Sequence, residues 1–145
     1  MVDVTAKEPS VREARARGKV LMNTNTLALV EGGAMPKGDV YGTARIAGIM
    51  AAKKTSEMIP MCHPLELTGI DIQFKTNAEL GEIIIEAGVK TIGRTGVEME
   101  AMTAVSVAAL TIYDMCKSAD KKIILSDIRL ISKQGGKSGL FTMEA

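Results

Sequence analysis

Apolar and polar residues alternate one for one from Thr68 to Lys75, with Ile70, Ile72 and Phe74 on one side and Asp71, Gln73 and Lys75 on the other. A period of two predicts a strand buried on one face. Ile83 to Thr91 predicts a second strand, joined to the first through a turn holding Asn77 and Gly81. From Thr95 to Lys117 the pattern changes to a long helix. Ala101 to Tyr113 carries no charge, with Glu98 and Glu100 before it and Asp114 and Lys117 after it. A helix apolar on every side has to be buried on most of them. The charged groups at its two ends are then held at the rim of a packed core, where rigid acid/base groups are best supported. Thr95 and Glu98 have capping-box spacing, which places the threonine at the N-cap.

The rest of the chain predicts shorter pieces. Residues 1–17 mix charges around Pro9 without an apolar face and read as an N-terminal arm, followed by a short strand from Lys19 to Met22. Asn25 to Glu31 reads as a helix stopped by Gly32-Gly33. A loop with Pro36 and Gly38 leads to Asp39, which caps a helix predicted from Val40 to Ile59 and ended by Pro60. Ala44, Ala47, Gly48, Ala51 and Ala52 form a small-residue face on that helix. Lys122 to Lys133 is a last strand, and residues 134–145 form a glycine-rich tail. The order β, α, α, β, β, α, β predicts an α+β fold, ferredoxin-like, with a mainly antiparallel sheet and helices packed on one face. One catalytic domain is expected to span residues 1–145.

Composition narrows the class. The 145 residues suffice for a self-supporting core. A net charge of +1 argues against a general nucleic-acid binder. Cys62 and Cys116 lack CxxC spacing and are expected as reduced thiols. The polar, mixed-charge start does not read as a signal peptide, and the uncharged stretch is shorter than the roughly 20 residues of a membrane span. No membrane partner and a cytoplasmic location follow as expectations. The chain has no Trp, two Phe and two Tyr, so Ala, Ile, Leu, Val and Met supply its apolar content. Small aliphatic side chains suit close helix packing and burial against another subunit.

Several groups are candidates for chemistry. Asp114 and Lys117, three apart, share a helix face and read either as an acid/base pair or as a plain salt bridge. Lys117 suits the negative end of the helix macrodipole and Asp114 does not, so something besides helix stability keeps the aspartate there. Glu98 is explained by the capping box; Glu100 is free to orient a polar substrate. His63 lies between Pro60 and Pro64, which stiffen its segment. It reads as a site residue or as a loop histidine. Adjacent Cys62 and His63 lack zinc-ligand spacing, and no metal site is expected. Gly135-Gly136-Lys137-Ser138-Gly139 fails the Walker pattern, since Ile131 stands where its first glycine belongs. Lys133 and Lys137 still suit a phosphate, as do Lys37 and Arg12.

Taken together, these stretches resemble a known family. Lys37-Gly38-Asp39-Val40, Ala51-Ala52-Lys53-Lys54-Thr55, Ile59-Pro60-Met61-Cys62-His63-Pro64-Leu65, Thr95-Gly96-Val97-Glu98-Met99-Glu100-Ala101, Leu110-Thr111-Ile112-Tyr113-Asp114-Met115-Cys116-Lys117 and the glycine-rich tail are similar, in order, to the cyclic pyranopterin monophosphate synthases. This is the molybdenum cofactor biosynthesis protein C family. The departures are Gln134, where serine is usual, and Met61, where leucine is usual.

The resemblance implies an enzyme of the lyase class acting on a cyclic dihydro-GTP, with pyrophosphate lost as the pterin product forms. It implies catalytic roles for Asp114 and Lys117. Substrate contacts are implied at Met61, Cys62, His63, Met99, Glu100, Lys37, Lys133 and Arg12, with Glu98 and Lys137 as further candidates. It also implies a homohexamer built as a trimer of dimers, with the active site at the dimer interface. No cofactor is expected, and Mg2+ is admitted as a companion of the triphosphate. A non-catalytic ligand-binding module and a structural oligomer subunit are the alternatives, because fold alone does not fix function.

Overall fold

Ala14, Ala16, Gly18 and Val20 alternate with Glu13, Arg15, Arg17 and Lys19, and this stretch is the middle strand of the sheet. The computed structural model describes residues 1–143. In chain order its elements are β1 (Ser10–Leu21), α1 (Thr24–Glu31), α2 (Val40–Lys53), α3 (Thr55–Met58), β2 (Leu67–Asn77), β3 (Glu82–Gly93), α4 (Glu98–Cys116), β4 (Ile124–Gln134) and β5 (Phe141–Thr142). The strands form one sheet in the order β2-β3-β1-β4-β5, and every pairing is antiparallel. This is an α+β fold, and its first four strands and the intervening helices follow the βαββαβ succession.

The expectation of an N-terminal arm through Arg17 is corrected by the sheet. β1 pairs with β3 from Ser10↔Gly93 to Leu21↔Glu82 and with β4 on its other side. Its inward positions before Val20 are arginine, alanine and glycine, too weakly apolar to announce a period of two. On the outward face Arg15 pairs with Asp71 at 3.2 Å and with Glu86 at 3.0 Å, and Arg17 shares Glu86 at 3.0 Å. The charges that suggested a solvated arm hold three strands together.

The core lies between the sheet and α4. Ala101, Ala104, Val105, Ala108 and Ile112 of α4 are inaccessible to solvent, as are Ile83, Ile85, Ala87 and Val89 of β3. α2 packs beside α4 and also touches β2, and Gly48 sets how closely. A Cβ there would lie 2.5 Å from Ile72 Cδ1 and 2.9 Å from the Ala104 carbonyl oxygen. The small-residue face of α2 is a requirement of this approach. α4 is long and apolar enough to pass for a membrane span by length and composition, but half of that stretch is buried in this packing.

Three local expectations change. The helix predicted to run from Val40 to Ile59 breaks at Lys54, because Thr55, fully enclosed, turns its hydroxyl back to the carbonyls of Ala51 and Ala52. The capping box at Thr95 does not form. α4 begins at Glu98 behind Val97, and no side chain caps it. The tail folds back after Gln134, so that Phe141 and Thr142 pair with Lys133 and Ser132 of β4. Residues 144 and 145 of that tail lie outside the described residues.

Candidate active site

Asp114 stands in the last turn of α4, where the helix dipole disfavours an acid. Two lysines account for it. Lys117 Nζ donates to Asp114 Oδ1 at 2.9 Å, and Lys37 Nζ, from the loop between α1 and α2, donates to Oδ2 at 2.8 Å. Asp39 caps α2 by accepting from the Gly42 N–H at 3.0 Å, and Tyr41 O–H donates to Glu31 at 2.7 Å, so both flanks of the Lys37 loop are fastened. The hydrogen bonds from Lys37 and then Lys117 hold the Asp114 carboxyl down to about 2. The same carboxylate raises Lys117 above the ordinary lysine value. In this arrangement Lys117 carries its proton and is a donor; it becomes a base only if a further cation or loss of solvent weakens that pull.

The other end of α4 has the opposite character. Glu100 is only 3% exposed and one carboxylate oxygen, Oε1, has no hydrogen-bond partner among the described residues. Its Oε2 accepts a weak bond from Cys62 Sγ at 3.7 Å. Burial pushes the Glu100 carboxyl up, and burial followed by the charge of Glu100 pushes the Cys62 thiol up. His63 Nε2 lies 2.7 Å from the carbonyl of Val2. A carbonyl only accepts, so Nε2 bears the proton and Nδ1 is the nitrogen left to a ligand. A cleft of about 570 Å3 opens beside it, lined by residues 1–5, His63 and Arg94. Met61 and Met99 are exposed, and Glu98 is half-buried at the helix start.

Arg12 and Lys133 sit at this same end of the sheet, Lys133 opposite Ala14 of β1. Arg12 is 9% exposed and donates to the carbonyls of Gly93 at 3.1 Å and Arg94 at 3.3 Å. Among the described residues no carboxylate pairs with it. Lys137 is exposed in the β4–β5 hairpin. Among the described residues no group of three or more His, Cys, Asp or Glu side chains is placed to hold a metal ion.

Comparison with known proteins decides the family. The profile of the MoaC family matches residues 1–136. A protein of Pelotomaculum thermopropionicum named cyclic pyranopterin monophosphate synthase is 60% identical over 141 residues, covering 97% of this chain and 83% of its own length. Proteins of the same name from Heliobacterium modesticaldum and Desulfatibacillum aliphaticivorans are 59% and 60% identical over 144 residues, each covering 99% of this chain and 91% of their own length.

The chain belongs to the MoaC family.

In this MoaC chain the candidate residues fall into two groups rather than one. Lys37, Asp114 and Lys117 gather at the C-terminal end of α4. Cys62, His63, Glu98, Met99, Glu100, Arg12 and Lys133 gather at its N-terminal end and the adjoining end of the sheet. Glu100 and Asp114 stand about 21 Å apart along the axis at 1.5 Å per residue. Two participants escaped the sequence reading. Arg94 flanks His63 and Arg12, and the Val2 carbonyl fixes the histidine. A basic residue between Gly93 and Gly96, on the approach to α4, was the available signal for the first. A backbone carbonyl leaves none.

Proposed function

We propose that this chain is a cyclic pyranopterin monophosphate synthase, converting (8S)-3',8-cyclo-7,8-dihydroguanosine 5'-triphosphate to cyclic pyranopterin monophosphate with release of pyrophosphate, an early step of molybdenum cofactor biosynthesis. The name shared by its relatives supports the reaction. The observation that carries it in the structure is a pair of buried groups: Glu100 Oε1, which has no hydrogen-bond partner among the described residues, and the Arg12 guanidinium, which is held by two carbonyls and by no carboxylate among them. The substrate brings the complements of both, guanine-derived N–H groups and a polyphosphate.

In this reading Arg12 and Lys133, with Lys137, take the triphosphate through charge-assisted hydrogen bonds. Glu100, aided by Glu98, accepts from the ring and amino N–H groups, while Met61, Cys62, His63 and Met99 wall the base. Lys117 delivers protons as the imidazole part of the purine opens, and Asp114 orients it. A ribose-derived hydroxyl then forms the new P–O bond to the α-phosphorus as the bond to pyrophosphate breaks. Cations at the departing oxygens stabilise the charge that develops there. Mg2+ belongs to this picture only as a companion of the triphosphate.

Two groups about 21 Å apart on one helix cannot close on the same reacting atoms. The reading therefore places the site between two chains, Lys37, Asp114 and Lys117 of one facing Glu100, His63 and Arg12 of the other. It extends to a homohexamer, a trimer of dimers, acting in the cytoplasm.

The test is incubation with the cyclic dihydro-GTP and detection of pyrophosphate and the pterin. No product from folded protein rejects the reaction. Mixing inactive Lys117→Ala and Glu100→Ala chains probes the assembly: random pairing restores about a quarter of the sites if each site draws on two chains, and none if each chain is self-sufficient.

A further inference from the structure

Three glycines in the β4–β5 hairpin have left-handed backbones, Gly135 at φ +103°, Gly136 at φ +70° and Gly139 at φ +65°. Their surroundings differ. A Cβ on Gly139 would meet nothing within 4 Å among the described residues. One on Gly135 would stand 2.2 Å from the Val11 carbonyl oxygen, a backbone atom of β1 that cannot move aside. One on Gly136 would strike the Arg12 side chain, 2.2 Å from Nη1 and 2.7 Å from Cζ.

We propose that Gly136 is a positioning residue for Arg12: its bare backbone is the wall that holds the guanidinium against the Gly93 and Arg94 carbonyls, in the pose that receives the polyphosphate. The proposal rests on the reading of Arg12 as a polyphosphate ligand. Arg12 Nε and Nη2 are spent on the two carbonyls, and Gly136 lies against the Nη1 side. A flexible side chain end yields when crowded, so a methyl group at 136 is absorbed by displacing Arg12, which breaks those bonds. The hairpin cannot retreat instead, because Met143 N–H donates to the Ile131 carbonyl at 2.9 Å and Phe141 pairs with Lys133. The double glycine that resembled a phosphate-binding backbone thus acts on phosphate through an arginine 124 positions earlier in the chain.

The experiment measures binding of inorganic triphosphate by calorimetry to the full chain and to the variants Gly136→Ala, Arg12→Ala, their double variant and Gly139→Ala, with kcat and KM for turnover alongside. Arg12→Ala and Gly136→Ala are each expected to raise Kd about tenfold or more, the scale of a lost charge-assisted hydrogen bond. The double variant is expected to be no weaker than Arg12→Ala. Gly139→Ala, which bears the same backbone strain without the collision, is expected to bind as wild type. In Gly136→Ala the change falls on KM while kcat is kept. Gly136→Asn repeats the collision with a residue that tolerates a left-handed backbone. Wild-type affinity in both 136 variants, an undiminished effect on the Arg12→Ala background, or an equal loss in Gly139→Ala overturns the proposal. Loss of fold in both 136 variants also overturns it, by assigning the glycine to the hairpin alone. If Arg12→Ala itself leaves Kd unchanged, the polyphosphate role of Arg12 fails with it.

Discussion

The two ends of α4 solve opposite problems. At the C-terminal end an exposed carboxylate is surrounded by lysines, and every charge there has a partner within the chain. At the N-terminal end a buried carboxylate has one weak sulfur donor and an oxygen with nothing to accept from. The first end is electrostatically satisfied yet open to solvent; the second is enclosed yet unsatisfied. A satisfied exposed cluster must be disturbed by a ligand or a neighbour before it can move a proton. An unsatisfied buried group is already shaped for a specific donor, because leaving it unpaired has a cost that binding removes.

Breaking the satisfied end should have the largest effect. Lys117→Ala and Asp114→Asn are each expected to lower kcat by about 100-fold or more, the range of general acid–base catalysis, with circular dichroism unchanged. Near-normal rates in both would end the proton-transfer assignment.

The unsatisfied end makes a thermodynamic prediction. Glu100 has its carboxyl raised by burial, so the folded state favours the protonated form. Its contribution is therefore fully present below the unfolded value of 4.5 and is lost as pH rises through the folded one. Glu100→Gln should raise Tm by a few degrees near neutral pH and leave it unchanged well below pH 4.5. An equal gain at both extremes would contradict an origin in the buried charge.

The finest prediction concerns the two lysines that hold Asp114. Asp114 titrates at about 2 with Lys37 as the leading cause. Carboxyl-carbon NMR should show Lys37→Ala and Lys117→Ala each moving it back toward 3.8. Its own contribution to stability is present above 3.8 and lost as pH falls through about 2. An unchanged carboxyl in Lys37→Ala would make Lys37 an incidental neighbour.

Legibility in the sequence followed the strength of the periodic signal. β2, β3 and α4 were legible because β-branched alternation and an uncharged run are hard to mistake. β1 was not, because alanine and glycine on its inner face are small rather than strongly apolar, and the break at Lys54 depends on a hydroxyl choosing carbonyls over water. Among site residues, the Asp114–Lys117 contact followed from spacing. Lys37 joining it did not, since that needs the loop and the helix end to meet in space. The partition into two groups was invisible for the same reason.

The two thiols differ in a way that offers a practical handle. Cys116 is fully enclosed and its thiol is pushed up to about 11, so almost none of it is thiolate at neutral pH. Cys62 is partly open and donates to the buried Glu100 carboxylate. A slow alkylating reagent should therefore mark one position in the unmodified chain. Protection of that position by an added compound would report binding beside Glu100 without any reaction taking place.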